Sequence, residues 1–276
     1  MTVRRRFSFG KNWRRFVRSS FSAQRLAVAR SHLLDFLQLP DLRGRVFLDI
    51  GCGSGIHSLA ALQSGAARVI SVDVDPDSIA AARILREWHG NPGNWEILPG
   101  SILDPDFLVT LPGADIVYSW GVLHHTGELW RAISNSAGCL RPGALFYIAI
   151  YDKTPETPYW VTVKERYNRS GWWGKRRMEW RYVLGRYFWP PFPGRAASSI
   201  KYILSYKAKR GMAFMTDVRD WLGGWPYEPA TAAEIDDYCR SRLGLTPLRV
   251  KTGEANIEYL FLRAGEQAAA RSCDET

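Results

Sequence analysis

Val46-Phe47-Leu48-Asp49-Ile50-Gly51-Cys52-Gly53-Ser54-Gly55 is the stretch on which the fold turns. A short apolar run of strand-favouring residues, interrupted by Asp49, passes into glycines at alternate positions, and the alanine-rich segment from Ile56 to Ala61 has helical character. The pattern predicts strand, tight turn and helix. Alternate glycines let the backbone take positive φ and let a ligand come to contact distance. The unpaired amides that open the helix favour an anionic or carboxylate-bearing ligand. A dinucleotide fingerprint needs glycine or alanine three positions after Gly53, where Ile56 stands, and a phosphate-binding P-loop needs a lysine that does not follow.

Reading outward, Ala66 to Pro76 holds a second apolar strand that ends at Asp73, with Val74 beside it and Asp75 placed to cap a helix beginning near Pro76. Asp73 lies about twenty residues beyond the glycines, where a ribose-binding carboxylate belongs. Trp95 to Asp104 reads as a third strand with its loop, and Ala114 to Trp120 as a fourth, followed by Gly121-Val122-Leu123-His124-His125-Thr126-Gly127. A helix from Glu128 leads through Leu140-Arg141-Pro142-Gly143-Ala144 to a fifth strand, Leu145 to Tyr151. Such alternation builds a mostly parallel sheet and gathers Gly51 to Gly55, Asp73, Ser101, His124 and Asp152 at one edge of it.

Asp-x-Gly-x-Gly-x-Gly at 49–55, the acid at 73 and Leu-x-Pro-Gly at 140–143 resemble the motifs of class I S-adenosylmethionine-dependent methyltransferases over roughly residues 44 to 152. The resemblance implies an α/β, Rossmann-like sheet, mostly parallel with one antiparallel strand near the C-terminus, helices on both faces and a helical insertion as a lid. It implies S-adenosyl-L-methionine as cofactor and no metal. Its contacts would come from Asp49, Gly51, Cys52, Gly53, Gly55, Asp73, Val74, Ser119 and Trp120, and from the backbone at Ser101 and Ile102. Ser101 stands where the family often has an acid. His124 and His125 would lie beside the transferred methyl group, with Asp152 on the neighbouring strand as the carboxylate that orients an imidazole base. A second reading, in which the pair only packs and hydrogen-bonds the loop, stays open. Ser119-Trp120-Gly121 replaces the Asn/Asp-Pro-Pro-Tyr/Phe of amino-methylating enzymes, which favours oxygen over nitrogen as acceptor.

The 276 residues divide into a basic, aromatic N-terminal cap and helix (1–43), the cofactor-binding core (44–152), an aromatic and basic insertion (153–230), a C-terminal helix with two strands (231–264) and a tail (265–276). Helices are expected in the insertion around 158–167, 175–187 and 196–209. Its last part, Asp220-Trp221-Leu222-Gly223-Gly224-Trp225-Pro226-Tyr227-Glu228, resembles a signature of bacterial methyltransferases that is often seen with Phe-x-Phe-Gly-x-Asn-Trp, here Phe7 to Trp13.

The net charge of +10 is concentrated before Asp35, including Arg4, Arg5 and Arg6, and between Lys164 and Arg210. Such blocks imply an anionic partner or a solvated basic face. Four scattered cysteines give no metal spacing and suit a reducing compartment. No apolar stretch is long enough to span a bilayer. The expectation is a cytoplasmic enzyme, with peripheral contact at the inner membrane as an option. It would methylate an oxygen of a small, anionic or glycosylated acceptor such as a sugar, a glycoconjugate precursor or a phenol or quinone precursor. The rivals are an RNA methyltransferase and a non-catalytic S-adenosylmethionine-binding scaffold at a membrane surface.

Overall fold

The computed structural model describes residues 7–210, 214–253 and 255–265. Arg4, Arg5 and Arg6, Gly211 and Met212, and the tail beyond Gly265 lie outside the described residues. The strands are β1 Val46–Ile50, β2 Arg68–Asp73, β3 Trp95–Pro99, β4 Ala114–Trp120, β5 Leu140–Tyr151, β6 Leu245–Thr252 and β7 Asn256–Arg263. The helices are α1 Gly10–Ser20, α2 Ala23–Leu37, α3 Ile56–Gln63, α4 Pro76–Trp88, α5 Pro105–Leu108, α6 Leu129–Gly138, α7 Thr157–Arg169, α8 Trp172–Val183, α9 Pro193–Arg210, α10 Phe214–Gly223 and α11 Ala232–Ser241.

One sheet in the order β3-β2-β1-β4-β5-β7-β6 forms the core. β1 to β5 run parallel, and β7 lies antiparallel between β5 and β6. This is the Rossmann-like methyltransferase fold expected from the motifs. The chain order reverses between β1 and β4, so the loops at their carboxyl ends face one crevice, the usual ligand position in such sheets.

Local chemistry sets the element ends. Ser22 caps α2 by accepting from the Arg25 amide, Asp75 caps α4 through the Asp77 amide, and Thr231 and Glu234 form a reciprocal capping box on α11. β5 starts earlier than expected: Leu140 pairs with Ala114, and the Pro142-Gly143 arch, with Gly143 at φ 77°, is accommodated by a register shift before Leu145 meets Ile116.

Leu48, Ile50, Val117, Phe146 and Ile148 bury one face of the sheet together with α6 and α11, whereas Phe47, Val69, Ile116 and Tyr147 bury the other against α2, α3 and α4. α7 to α10 form the insertion and have their own small core of Tyr167, Val183, Tyr206, Phe214, Val218 and Leu222. A satellite core explains how so long an excursion from the sheet holds its shape.

Candidate active site

The turn after β1 is built as its glycines require. Gly51 and Gly53 have φ of 77° and 54°. A Cβ at Gly51 would overlap the Val122 side chain, and one at Gly53 would stand 2.9 Å from Trp13 Nε1. Gly53 is thus fixed twice, by left-handed backbone and by an indole from α1 lying on it.

Asp73 ends β2 beside this turn. Its Oδ2 accepts from the Gly53 amide at 3.0 Å and its Oδ1 from the Asp75 amide at 2.8 Å, which joins the two loops. Burial raises its carboxyl above the ordinary value. Val74 next to it is half exposed. Asp49 sits behind the turn at 2% exposure, where its Oδ2 accepts from Ser58 Oγ at 2.5 Å. Ser58 continues to Ser71 at 2.6 Å, and Ser71 accepts from Trp95 Nε1 at 2.8 Å. Burial lifts Asp49 to about 7. Ser58, Ser71 and Trp95 escaped sequence reading because each belongs to a different element and looks like an ordinary helix or strand residue.

Cys52 is buried, and its amide, like that of Gly51, donates to the Val72 carbonyl. Ser101 Oγ accepts from the Leu103 amide at 3.1 Å and shapes the β3 loop, with Ile102 buried beneath it. Ser119 Oγ donates to the Ile50 carbonyl at 2.9 Å, locking β4 to the end of β1. Trp120 is 40% exposed.

His124 and His125 lie on a short 3-10 turn after β4. His124 is fully buried, its Nδ1 accepts from the Tyr151 amide at 3.4 Å, and its Nε2 has no partner among the described residues. The Nε2 therefore carries the hydrogen. His125 makes a 2.6 Å bond from Nδ1 to the Pro226 carbonyl, which as an acceptor only fixes the Nδ1–H tautomer and leaves a lone pair on Nε2. Burial lowers the basicity of both rings, His125 to about 4, and the charge of Lys164 pushes in the same direction. Asp152, expected to orient one of them, bonds neither ring. It follows β5 as a bridge partner of Ala230, and the backbone of Tyr151 and Pro226 does the orienting instead.

The N-terminal cap and the end of the insertion meet over this edge. The Phe7 amide donates to the Trp225 carbonyl at 3.0 Å, and the Phe7 ring lies where a Cβ on Gly223 would be. Phe9 packs on His125 with ring centroids 5.3 Å apart. The Gly10 amide donates to Asp75 Oδ2 at 3.1 Å, Asn12 Nδ2 to Asp220 Oδ1 at 2.5 Å, and Trp13 covers Gly53. The two short motifs thus meet directly at Phe7–Trp225 and Asn12–Asp220, and Trp13 joins the first of them to the glycine turn.

Beyond the histidines, Tyr151 contacts His124, Trp221 and Tyr227 with centroids 4.1, 5.9 and 5.7 Å apart. Lys164 from α7 is wholly buried there, 4.3 Å from the Trp221 ring centre and 4.7 Å from that of Tyr227, and it donates to the Trp221 carbonyl. No carboxylate pairs with it among the described residues, and burial lowers it to about 7. The Trp221 Nε1 has no partner among the described residues.

Residues 48–146 match the family described as "Methyltransferase domain". The core of the chain is thus similar to a methyltransferase domain. Among curated relatives it resembles ribosomal protein L11 methyltransferase of Tolumonas auensis, 52% identical over 145 residues, half of this chain and 47% of that protein. It also resembles tRNA U34 carboxymethyltransferase of Methylococcus capsulatus, 35% identical over 102 residues, 37% of this chain and 31% of that one. The chain thus spans less than half the length of these relatives. Among solved structures, magnesium protoporphyrin IX methyltransferase from Synechocystis aligns over 92% of this chain and 94% of its own with a TM-score of 0.55 at 16% identity. An O-methyltransferase family protein from Burkholderia thailandensis aligns over 94% and 59% with a TM-score of 0.56 at 16% identity. Both share the fold of the methyltransferase domain. The site residues fit S-adenosyl-L-methionine: the amide-rich glycine turn after β1 and the Asp73 carboxylate at the end of β2 lie side by side.

Proposed function

We propose that the chain is an S-adenosyl-L-methionine-dependent methyltransferase that acts in the cytoplasm on an oxygen of a small, anionic or glycosylated molecule: a sugar, a glycoconjugate precursor or a phenol or quinone precursor. The observation that carries this reading is that the glycine turn with Asp73 and the two histidines share one sheet edge, closed from above by Phe9, Trp13 and the 220–228 segment. When bound, the cofactor supplies an activated methyl group, so the protein has to align the acceptor and manage one proton.

His125 is suited to that proton. Its Nδ1 is committed to Pro226, and its lowered basicity keeps Nε2 unprotonated near neutral pH. His124 plays a different part, because its Nε2 is a donor. With Trp221 Nε1 and Lys164 it offers hydrogens and positive charge around Tyr151, which supports an acceptor bearing an anionic group. Asp49 and its serine chain hold the turn from behind.

The test is transfer of labelled methyl from S-adenosylmethionine to matched hydroxy acids and neutral alcohols. Turnover of a hydroxy acid that falls when His125 is replaced supports the reading, and absence of S-adenosylhomocysteine binding overturns it. RNA is the second reading, supported by the net charge of +10 and by the activity named for the tRNA-modifying relative. It requires affinity for RNA that drops steeply with salt.

A further inference from the structure

Among the described residues the chain exposes seventeen large hydrophobic side chains, and eight of them fall within residues 172–204. Trp172, Trp173, Trp180, Trp189, Phe192 and Leu204 are each more than half exposed, with Trp173 at 79% and Leu204 at 80%. Single exposed apolar residues are ordinary, but a concentration of them marks a surface that is covered in use. Their spacing follows the helices: Trp173, Trp180 and Leu184 recur along α8 and its extension, and Ile200 and Leu204 are one turn apart on α9.

The charge around them indicates what covers them. Arg177, Arg181, Arg186 and Lys201 are exposed between the aromatics. The one acidic residue from 171 to 206, Glu179, is buried and taken by Tyr167, Arg176 and Arg219. The exposed cations have no carboxylate partner among the described residues. Tryptophan with arginine or lysine, and no exposed acid, is the composition that sits at the headgroup level of an anionic bilayer, with rings at the acyl boundary and cations on lipid phosphates. A protein partner of ordinary composition would meet this face with too few acids for its cations.

We propose that the α8–α9 face docks on the surface of an anionic lipid bilayer. The face is continuous with a groove of about 430 Å³ between α7 and α8, lined by Arg177, Arg181, Tyr182, Trp160 and Leu222 among others. Trp160 touches Trp221 at 5.0 Å between ring centres, and Trp221 borders Tyr151 and the histidines. Docking in this way turns the groove that leads toward the acceptor side of the site to the lipid. No described helix is long and apolar enough to cross a membrane, so the contact is peripheral.

Flotation of the full chain with vesicles tests this. The protein is expected to float with phosphatidylcholine vesicles containing phosphatidylglycerol and to stay behind with phosphatidylcholine alone. The double variants Arg177→Gln/Arg181→Gln and Trp172→Ser/Trp173→Ser alter only exposed residues, and thermal melting confirms that they fold. Each arginine removed weakens binding by roughly fivefold, and the tryptophan pair reduces it at any salt concentration. Equal binding to both vesicle types, or no binding to either, overturns the proposal. So does a concentration-dependent dimer in lipid-free size exclusion that the tryptophan variant dissociates, because a second copy would then cover the face.

Discussion

The side-chain amide of Asn12 donates to Asp220 Oδ1 at 2.5 Å, joining residues 208 positions apart and tying the N-terminal cap to the closing segment of the insertion. Burial raises the Asp220 carboxyl from 3.8 to about 7, against the opposing pull of the Asn12 hydrogen bond. The folded chain therefore holds this proton where the unfolded chain has released it. The stability it lends is full below about 3.8 and is lost as pH rises through about 7. Asp220→Asn removes the titration and keeps an oxygen for Asn12. Denaturant unfolding should show the wild type losing on the order of 2–3 kcal/mol relative to this variant between about pH 5 and about pH 8. Parallel profiles for the two proteins would show that the carboxyl stays ionised.

Gly53→Ala places a methyl group against Trp13 and forces alanine into φ 54°. It should cost about 1–2 kcal/mol of stability. Adding Trp13→Ala should recover the steric part and not the backbone part, and a double-mutant cycle by thermal unfolding reads the difference. Strict additivity would mean that the indole does not bear on the turn.

His125→Asn retains an N–H for the Pro226 carbonyl and removes the second ring nitrogen. Turnover should fall roughly 10²- to 10⁴-fold with S-adenosylhomocysteine affinity unchanged. Because burial holds His125 near 4, the acid limb of wild-type kcat should lie near 4 and not near 6.5. Asp152→Asn should leave that limb in place, since Asp152 bonds neither imidazole. Equal losses in the two variants would restore the carboxylate to the proton path.

What was legible in the sequence was whatever repeats locally. The glycine turn, Asp73, the alternation of strands and helices through β5 and the cap of α4 are each written within a few residues, and the fold follows from them. The contacts that shape the site are not local. Trp13 on Gly53, Asn12 on Asp220 and Pro226 on His125 join segments 40 to 208 residues apart and leave no periodicity. Lys164 shows the limit best. It opens a basic run that reads as a solvated or anion-facing stretch, yet it is wholly buried, because the carbonyl and rings of the closing segment enclose it.

That enclosure gives Lys164 both a packing and a recognition role. Lys164→Met should reduce kcat/KM for a hydroxy-acid acceptor by roughly a hundredfold, the size expected when a buried site is deprived of a charge-assisted hydrogen bond, while a matched neutral alcohol is unaffected. Trp221→Phe, which removes only the unpartnered Nε1–H and keeps an aromatic ring, should give a smaller loss in the same direction. Equal losses for acid and alcohol would assign Lys164 to packing alone.

The central claim is that the edge formed by Gly51 to Gly55 and Asp73 binds S-adenosylmethionine. Calorimetric titration of the full chain with S-adenosylhomocysteine tests it most directly. The account predicts one saturable site whose affinity drops by at least about tenfold in Asp73→Ala, in keeping with removal of a carboxylate that hydrogen-bonds a ribose. Absence of binding by the wild type, or an affinity that Asp73→Ala leaves unchanged, would contradict it.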